Sequence, residues 1–438
     1  MRGSGSTFDE RLLAFSPPFR FRRGRFWIEN VPYRKIVEEF GTPVLVYSEA
    51  RLLDNVKHLV ESVGKLPFKT SVHFALKACY LPGVVEIIRD QGLNVEVMSE
   101  FEYALSLRLG FRSDQIVVNA PAKSEGFLER AVAEGVRLIN AESESELVTL
   151  NTIGERLGKK VQVGIRITPC LKGVSPDPFS SKGSKFGFDV PKEARRALQF
   201  ASRLPHLELV GIHCHHYTRR YSPGFHLACA RSALKFVKEV EEDLGLRIPL
   251  LDLGGGFGSR NMMEARGFTI LDFLKGMADL IEKGGGKREL LLEPGRYLVN
   301  DAAVCLARVL AQKRNGGREW VLIDAGSGIL PPRPNAEYYV MNAEARGGNR
   351  RDAPAGRLSF IGDALCIPTG VMPRPFRLGK VDMGDPLIIF NCGAYTFSLA
   401  QNFGELIPGA IIVDGSTWRC LYRKRSIEEH IRWLQGIS

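Results

Sequence analysis

The most regular feature of the chain is an alternation of two hydrophobic periods that begins near residue 70. Short runs of apolar and β-branched residues, typical of buried strands, alternate with segments whose apolar residues recur every three or four positions, as on amphipathic helices. The pattern predicts eight strands: Ser71–Leu76, Asn94–Ser99, Gln115–Ala120, Arg137–Ala141, Lys160–Thr168, Leu207–His215, Ile248–Leu253 and Glu289–Leu292.

The segments between these strands are predicted to be helices. Glu125–Glu134 and Pro191–Leu204 are two of them, and each is followed by a glycine or a proline, residues that commonly terminate helices. In the segment after the second strand, the predicted apolar stripe consists of Phe101, Ala104, Leu105 and Leu109.

Strands that alternate with helices lie parallel, and eight such units close into a (β/α)8 TIM-type barrel, which we assign to residues 42–299. An open, doubly wound sheet is the alternative. From residue 300 the strand-like runs are broken by Gly and Pro, which predicts a second, mostly β C-terminal domain (a β-barrel or a sandwich) over 300–438. Residues 8–41 contain a strand-like run and are predicted to join that domain, whereas residues 1–7 resemble an expression tag.

The composition excludes several classes of protein. The net charge is +11, but the basic residues are spread along the chain without an aromatic-interleaved basic motif, so nucleic-acid binding is not predicted. Anionic small molecules account for the excess equally well. The eight cysteines occur singly, which indicates neither a disulfide framework nor a zinc ribbon, and no apolar run is long enough to cross a membrane. We therefore expect a cytoplasmic protein that acts on a small anionic molecule.

Unusual polar residues fall where the predicted strands end, which is where barrels of this type carry their active sites. In chain order they are Lys77, Glu96, Ser99, Asn119, Arg166, His213, His215, the glycines Gly254, Gly255 and Gly256, and Glu293. Each position alone has an ordinary structural explanation. Together they predict one polar rim.

Two of these positions suggest covalent and acid–base chemistry. Lys77 lies among apolar residues at a strand end, where partial burial is expected to lower its pKa and favour imine formation, although a solvent-reaching surface lysine is the alternative. Glu293 and Arg296 of the Glu-Pro-Gly-Arg segment could hold a ring nitrogen and a phosphate, or could form a structural ion pair.

Three further segments have both functional and structural explanations. The glycines at 254–256 could bind an anion through backbone N–H groups or form only a tight turn. His213 and His215 share a strand face, but no third ligand at zinc-like spacing is apparent, so we predict no metal. Cys366 is either a buried apolar thiol or, on an accessible loop, a general acid.

In this order, the motifs resemble those of the alanine-racemase-fold (fold type III) pyridoxal-phosphate-dependent decarboxylases, the family of the diaminopimelate and ornithine decarboxylases. The resemblance extends from about Gly24 to Tyr422. The segments that carry it are Phe74–Ala78, Ser184–Gly187, Gly211–His215, Gly254–Gly256, Glu293–Arg296, Cys366 and Gly393–Tyr395.

The resemblance implies a cofactor, a set of roles and a partner. Lys77 would carry pyridoxal 5'-phosphate, Glu293 would pair with its ring nitrogen, and His215 would stack on the ring. Glu96 would be a further cofactor-binding residue, and the phosphate would be bound by Gly254, Gly255, Gly256, Gly295, Arg296, Thr218 and Tyr395. Cys366 would reach the active site of the other subunit of a homodimer and protonate the carbanion. Candidate substrate residues are Arg166, Arg333, Tyr338 and Ile367.

Several departures from the family pattern bear on the substrate. Ile367 follows Cys366 where relatives have an acid that binds a distal amine, and Arg333 occurs in a displaced Arg-Pro pair. These departures favour an acidic, amidated or carrier-linked amino acid, as in siderophore pathways, with diaminopimelate or a basic amino acid as the alternative. Glu293 and Cys366 argue against a racemase of the same fold. The retained Lys77 and Arg296 argue against a non-catalytic protein that only binds a partner.

Overall fold

The structure is a computed structural model, and it describes residues 17–169, 171, 182–215, 223–284, 288–331, 336–344 and 358–437. The segment that resembles a tag, Thr218 and Arg333 lie outside the described residues.

The N-terminal elements precede the barrel. They are β1 (Phe19–Arg22), β2 (Arg25–Ile28), β3 (Val31–Pro32), α1 (Tyr33–Phe40), β4 (Val44–Ser48) and α2 (Glu49–Val63). The first three strands form a small antiparallel sheet, which contacts the second domain where Phe26 N–H donates to Ala343 O at 3.1 Å.

The eight predicted barrel strands are all present, and the predicted fold is confirmed. The barrel strands are β5 (Thr70–Ala75), β6 (Asn94–Val97), β7 (Ile116–Asn119), β8 (Leu138–Ala141), β9 (Val161–Thr168), β11 (Leu207–His213), β12 (Leu250–Asp252) and β13 (Glu289–Leu292), with β10 (Phe188–Asp189) beside β9. All pair in parallel, and the β13–β5 pairing closes the barrel. The helices are α3 (Pro82–Asp90), α4 (Glu100–Arg108), α5 (Glu125–Glu134), α6 (Glu144–Leu157), α7 (Lys192–Ala201), α8 (Pro223–Leu244), α9 (Arg260–Ala265) and α10 (Ile270–Lys283).

The remaining elements form the predicted β-rich domain. They are α11 (Arg296–Val299), β14 (Ala303–Asn315), β15 (Arg318–Ile323), β16 (Tyr339–Asn342), β17 (Leu358–Asp363), β18 (Phe376–Arg377), β19 (Pro386–Phe390), β20 (Gly409–Asp414), β21 (Thr417–Tyr422) and α12 (Ile427–Leu434). Among the described helices, none is both long and apolar enough to cross a bilayer.

The position of β4 differs from the predicted domain boundary at residue 42. This strand pairs antiparallel with β14 and parallel with β20, so it belongs to the second sheet and not to the barrel. All five of its residues are buried, as they would be in a barrel strand. The hydrophobic pattern therefore could not distinguish the two locations.

Helix α4 also differs from its predicted apolar stripe. Phe101 is 58% exposed, whereas Glu102, Tyr103 and Ser106 are buried. The polar groups are satisfied locally, because Met98 N–H donates to Glu102 Oε2 at 2.8 Å and Ser106 Oγ donates to Glu102 O at 2.8 Å. A polar residue with internal partners can thus occupy the buried face.

The barrel interior is layered, because alternate residues of a strand point to the same side. One layer is an apolar cluster of Val117, Leu138, Leu250 and Leu291. Two residues further along the same four strands, or just beyond their ends, come the buried polar residues Asn119, Asn140, Asp252 and Glu293. The polar layer therefore lies directly above the apolar one, at the carboxyl ends of the strands.

Candidate active site

A cavity of about 360 Å³ lies at the carboxyl ends of the barrel strands. The predicted site residues that line it are Lys77, Glu96, Asn119, Arg166, His213, His215, Gly255, Gly256, Glu293, Gly295, Arg296 and Tyr395. A larger cavity of about 700 Å³ opens at the opposite end of the barrel, beside Lys69, Arg137 and Glu289. We assign the active site to the smaller cavity because it contains the convergent polar groups and lies at the catalytic end of this architecture.

Lys77 lies in a single turn of 3-10 helix, Leu76–Ala78, directly after β5. Its ammonium group pairs with the carboxylate of Glu96. Glu96 lies on the neighbouring strand β6, and its side chain is 1% exposed. Burial alone would lower the pKa of Lys77, but the carboxylates of Glu96 and Glu293 and the phenol of Tyr395 outweigh burial and raise it. The expectation of a lowered pKa was therefore wrong for the cofactor-free protein, because the sequence did not show how many acids surround the amine.

The backbone of the second domain supports the same turn. Tyr395 N–H donates to Ala78 O at 2.7 Å, and Ser398 Oγ donates to the same oxygen at 3.3 Å. Tyr395 has a φ of 58°, in the left-handed region, and its ring lies 5.1 Å from the guanidinium carbon of Arg296. Both domains thus fix the position of Lys77.

The buried polar layer forms a continuous hydrogen-bond network. Asn119 Nδ2 donates to Glu293 Oε1, and Asn140 Nδ2 donates to Asn119 Oδ1 at 2.6 Å. Asn140 Nδ2 also donates to Asp252 Oδ2 at 3.0 Å. His213 Nε2 lies 3.7 Å from Glu293 Oε2. The network positions the Glu293 carboxyl in the floor of the cavity.

The acids in this layer hold their protons more tightly than usual. Burial raises the pKa of Asp252 to about 7, with a further contribution from Glu96. Burial, Asp252 and Glu96 raise the pKa of Glu293 well above its ordinary value. Burial and the cations Arg166 and Lys77 keep the pKa of His213 well below normal, so its imidazole is neutral. A neutral imidazole cannot balance the charge of the two carboxyl groups.

The glycine turn after β12 allows a close backbone approach. A Cβ on Gly255 would lie 2.1 Å from Glu293 O, and one on Gly254, whose φ is +61°, would lie 2.3 Å from His215 Nδ1. Gly255 N–H donates to His215 Nδ1 at 3.1 Å, which fixes the imidazole ring at the cavity wall. With Arg296 nearby, the turn has the small residues and positive charge suited to a phosphate group.

Arg166 is held at the cavity wall by two contacts, and a third fixes its partner Glu142. Its Nη1 is 2.6 Å from Glu142 Oε1, and its guanidinium carbon is 4.3 Å from the centroid of the Phe186 ring. Glu142 Oε2 accepts a hydrogen bond from Gly187 N–H at 2.8 Å. Lys185 Nζ lies 5.1 Å from the same Phe186 ring, and both residues line the cavity. The Ser-Lys-Phe-Gly motif therefore forms part of the rim.

Some predicted residues are not in this cavity. Cys366 is exposed, Ile367 is partly buried, and Tyr338 is 5% exposed, but none of the three lines the cavity of the same chain. Of the two explanations for Cys366, a buried apolar thiol is therefore wrong, because the residue is exposed. Thr218 and Arg333 lie outside the described residues, so their predicted roles stay predictions.

The sequence analysis missed Asn140 and Asp252. A signal was available, since both occupy the same strand-end position as Asn119 and Glu293 and follow an apolar residue by two positions. The ligand-type atoms of His213, Asp252 and Glu293 lie within 4.8 Å of one another. This is a denser buried cluster than the two histidines alone had indicated.

Known proteins are similar to the chain over nearly its whole length. A sequence profile described as the pyridoxal-binding domain of pyridoxal-dependent decarboxylases matches residues 52–300. Diaminopimelate decarboxylase of Aquifex aeolicus is 30% identical over 434 residues, covering 96% of this chain and 98% of that protein. The enzyme of the same name from Methanocaldococcus jannaschii is 29% identical over 414 residues, covering 92% and 93%.

Solved structures show the same fold. Diaminopimelate decarboxylase of M. jannaschii in complex with L-lysine superposes with a TM-score of 0.82 at 26% identity, covering 94% of this chain and 96% of that one. The Helicobacter pylori enzyme with L-lysine gives a TM-score of 0.81 at 22% identity, covering 92% and 99%. At that lower identity the second match supports the fold alone.

Two Ser-x-x-Glu helix starts at the rim have the same geometry but different charge balance. Glu102 N–H and Glu146 N–H each donate at 3.2 Å to the serine three residues earlier, and each glutamate accepts from a backbone N–H four residues before it. Glu146 pairs with the fully buried Lys123 at 2.5 Å. For Glu102, among the described residues, no cation lies within ion-pair distance, and burial raises its pKa to about 7.

We expect Glu102→Gln to stabilise the cofactor-free protein at pH 8 but not at pH 4. A carboxyl with a raised folded-state pKa contributes stability below its unfolded pKa, and that stability is lost as the pH rises from about 4.5 to about 7. Glutamine can accept the same backbone hydrogen bond without titrating. The gain at pH 8 should be about 3 kcal/mol at most, measured from denaturant unfolding at the two pH values.

Glu146→Gln provides the matched control. It leaves the buried Lys123 without its carboxylate and should destabilise the protein at pH 8, whereas at pH 4 the effect should be small because burial raises the pKa of Glu146 and its carboxyl is already largely protonated. If both variants changed the free energy of unfolding by the same amount at pH 8, the assigned difference in charge balance between Glu102 and Glu146 would be wrong.

Proposed function

Because the chain belongs to the family of pyridoxal-dependent decarboxylases, we propose that it decarboxylates diaminopimelate, with Lys77 and Glu293 at the two functional ends of one cofactor site. The family is an amino-acid decarboxylase family, and its cofactor is pyridoxal phosphate. The observation that carries the proposed residue roles is that Lys77, Glu293 and Arg296 line the same cavity.

The residues of the cavity fit the cofactor at each of its polar groups. Lys77 offers an amine at a strand end for the aldehyde, and the Gly255–Gly256 backbone with Arg296 offers a compact cationic cradle for the phosphate. The imidazole of His215 is fixed by Gly255 N–H, so its flat face can pack on the ring. Glu293 lies on the floor, where it can hold the ring nitrogen.

The cofactor supplies a ring that accepts the electron pair left when carbon dioxide departs. Glu293, whose carboxyl group is held by Asn119, would hold a proton at the ring nitrogen. Glu96 pairs with the Lys77 ammonium and would keep that amine at the aldehyde end of the cofactor. Glu96 and Glu293 are buried, which strengthens their electrostatic interactions.

Two observations support diaminopimelate as the substrate. The relatives that align over more than nine-tenths of the chain carry that activity in their names. Diaminopimelate also has two carboxylates, and the cavity is lined by the cations Arg166, Lys185 and Arg296 in addition to Lys77. The acidic or carrier-linked substrate favoured by the sequence has no support from the comparisons, and we adopt the alternative.

The departures from the family pattern that favoured an acidic or carrier-linked substrate do not exclude diaminopimelate. Ile367 lies outside the cavity of its own chain, so its side chain does not define the walls described above. We propose that a second copy of the chain brings Cys366 to the cavity as the proton donor. The exposed position of the thiol supports this assignment, since a buried thiol could not reach another subunit.

We retain the cytoplasm as the proposed location. All seven cysteines in the described part of the chain are free, which suits a reducing compartment.

Lys77→Ala is expected to lose both the visible absorbance of the bound cofactor and carbon dioxide release. The substitution removes the only group assigned to hold the cofactor covalently, so both signals should fall together. Absorbance after cofactor loading and a radiolabelled carbon dioxide assay measure them. Lys69→Ala, at the opposite end of the barrel, is the control and should retain both. Wild-type carbon dioxide release by the Lys77 variant would remove the assignment.

A mixture of Lys77→Ala and Cys366→Ala chains should recover activity if active sites are shared between two copies. A mixed dimer has one site with both native residues, so equal coexpression should yield about a quarter of the wild-type rate. Each variant alone should be nearly inactive. Absence of recovery, with mixed dimers demonstrated by differential tags, would show that Cys366 acts within its own chain or not at all.

Meso-diaminopimelate should be the preferred substrate in a carbon dioxide release screen. A distal carboxylate can interact with the cations that line the cavity, and ornithine, which carries an amine there instead, lacks this interaction, so kcat/KM for ornithine should be lower by about 10²-fold or more. The screen should include L-lysine, L-ornithine, L-arginine and citryl-conjugated amino acids. A faster reaction with a conjugated substrate would restore the preference drawn from the sequence.

A further inference from the structure

We propose that Asp252 is a positioning residue that shares one proton with Glu293 and at the same time fixes the first glycine of the phosphate-binding turn. The inference rests on the proposed cofactor site but adds a residue to which that proposal gives no role. Asp252 is the last residue of β12 and is fully buried.

The contacts of Asp252 use both of its oxygens. Oδ1 accepts a hydrogen bond from Gly254 N–H at 2.9 Å, and Oδ2 accepts one from Asn140 Nδ2 at 3.0 Å. Glu293 N–H in turn donates to Gly254 O at 2.8 Å. Gly254 is thus bonded to both Asp252 and Glu293. These hydrogen bonds connect the ring-nitrogen end of the site to the phosphate end.

The carboxyl groups of Asp252 and Glu293 are close enough to interact, and both are buried in the floor of the cavity. Two adjacent buried carboxyl groups cannot both ionise without a large electrostatic cost. If they retain one proton, the pair carries a single negative charge. That charge matches the single positive charge of a protonated pyridine nitrogen.

The surrounding titratable groups support this charge state. Glu96 adds negative charge from β6, and the Lys77 ammonium already pairs with it. His213 on β11 is neutral, with Arg166 beside it, and neither of its ring nitrogens has a hydrogen-bond partner among the described residues. A further titratable neighbour of Asp252, Cys214, is a buried thiol whose pKa is raised well above normal. A shared proton is thus the available means of reducing the charge of the pair.

The test measures cofactor affinity against pH for the wild type, Asp252→Asn and Asp252→Ala. Binding is followed by the visible absorbance of the bound cofactor, so it does not depend on turnover. In the wild type, if the bound state requires the shared proton, binding above the transition must take that proton up, so the affinity should fall by up to about tenfold per pH unit there.

Asp252→Asn should remove this transition. Asparagine cannot ionise, its carbonyl can still accept from Gly254, and its amide, which replaces the oxygen that accepts from Asn140, can donate to Glu293, so Glu293 has no second carboxyl with which to share a proton. We expect affinity within several-fold of the wild-type value at pH 6 and a change of less than about threefold between pH 6 and 8.5. Asp252→Ala lacks both interactions and should bind at least about tenfold more weakly at every pH. Asp114→Asn, at the exposed opposite end of the barrel, should behave as the wild type.

Three results would overturn the inference. One is a wild-type-like pH transition in Asp252→Asn, which would place the titrating proton elsewhere. Another is equal, pH-independent weakening in the Asn and Ala variants, which would reduce Asp252 to a structural role. The third is a stoichiometric metal in the purified cofactor-free protein, because a cation among His213, Asp252 and Glu293 would replace the proton. A wild-type protein that takes up no cofactor would instead refute the proposed function as well.

Discussion

A charge buried in a protein must be balanced by an opposite charge or removed by a proton, and this constraint organises the whole rim of the barrel. The cations at the strand ends each contact a carboxylate: Lys77 with Glu96, Lys123 with Glu146 and Arg166 with Glu142. Glu293 and Asp252 have each other instead of a cation. Asp252 and Glu293 at the floor therefore differ from these three pairs, and it is there that a cationic ring nitrogen of the cofactor would supply the opposite charge.

The second domain contributes to the site through the backbone as well as through Tyr395. Its segment after β19 binds the turn that carries Lys77, and its buried Glu337 accepts hydrogen bonds from Asn300 Nδ2 and Ser259 Oγ. Ser259 follows the glycine turn of the barrel within a few residues. Both the amine end and the phosphate end of the cavity are thus held from outside the barrel, so the cofactor site is a property of the two domains together.

The fold and most of the rim could be predicted from the sequence, because the period-2 strands and their polar ends leave a local signal. Lys77, Glu293 and the glycines were found in this way, whereas the raised pKa of Lys77 depends on acids from other strands and was not visible locally. The buried face of α4 was missed because Glu102 is satisfied by the backbone of Met98, a contact that no periodicity encodes. The predicted domain boundary was wrong at β4, because a buried central strand has the same composition in the barrel as in the second sheet.

The placement of β4 has a consequence for the order in which the protein can fold during synthesis. This strand is made before the barrel, yet its neighbours β14 and β20 emerge from the ribosome after the barrel, at residues 303–315 and 409–414. The barrel can close around its own strands while β4 still has two unsatisfied edges. The nascent chain must therefore keep that apolar strand from pairing wrongly until β20 has been translated.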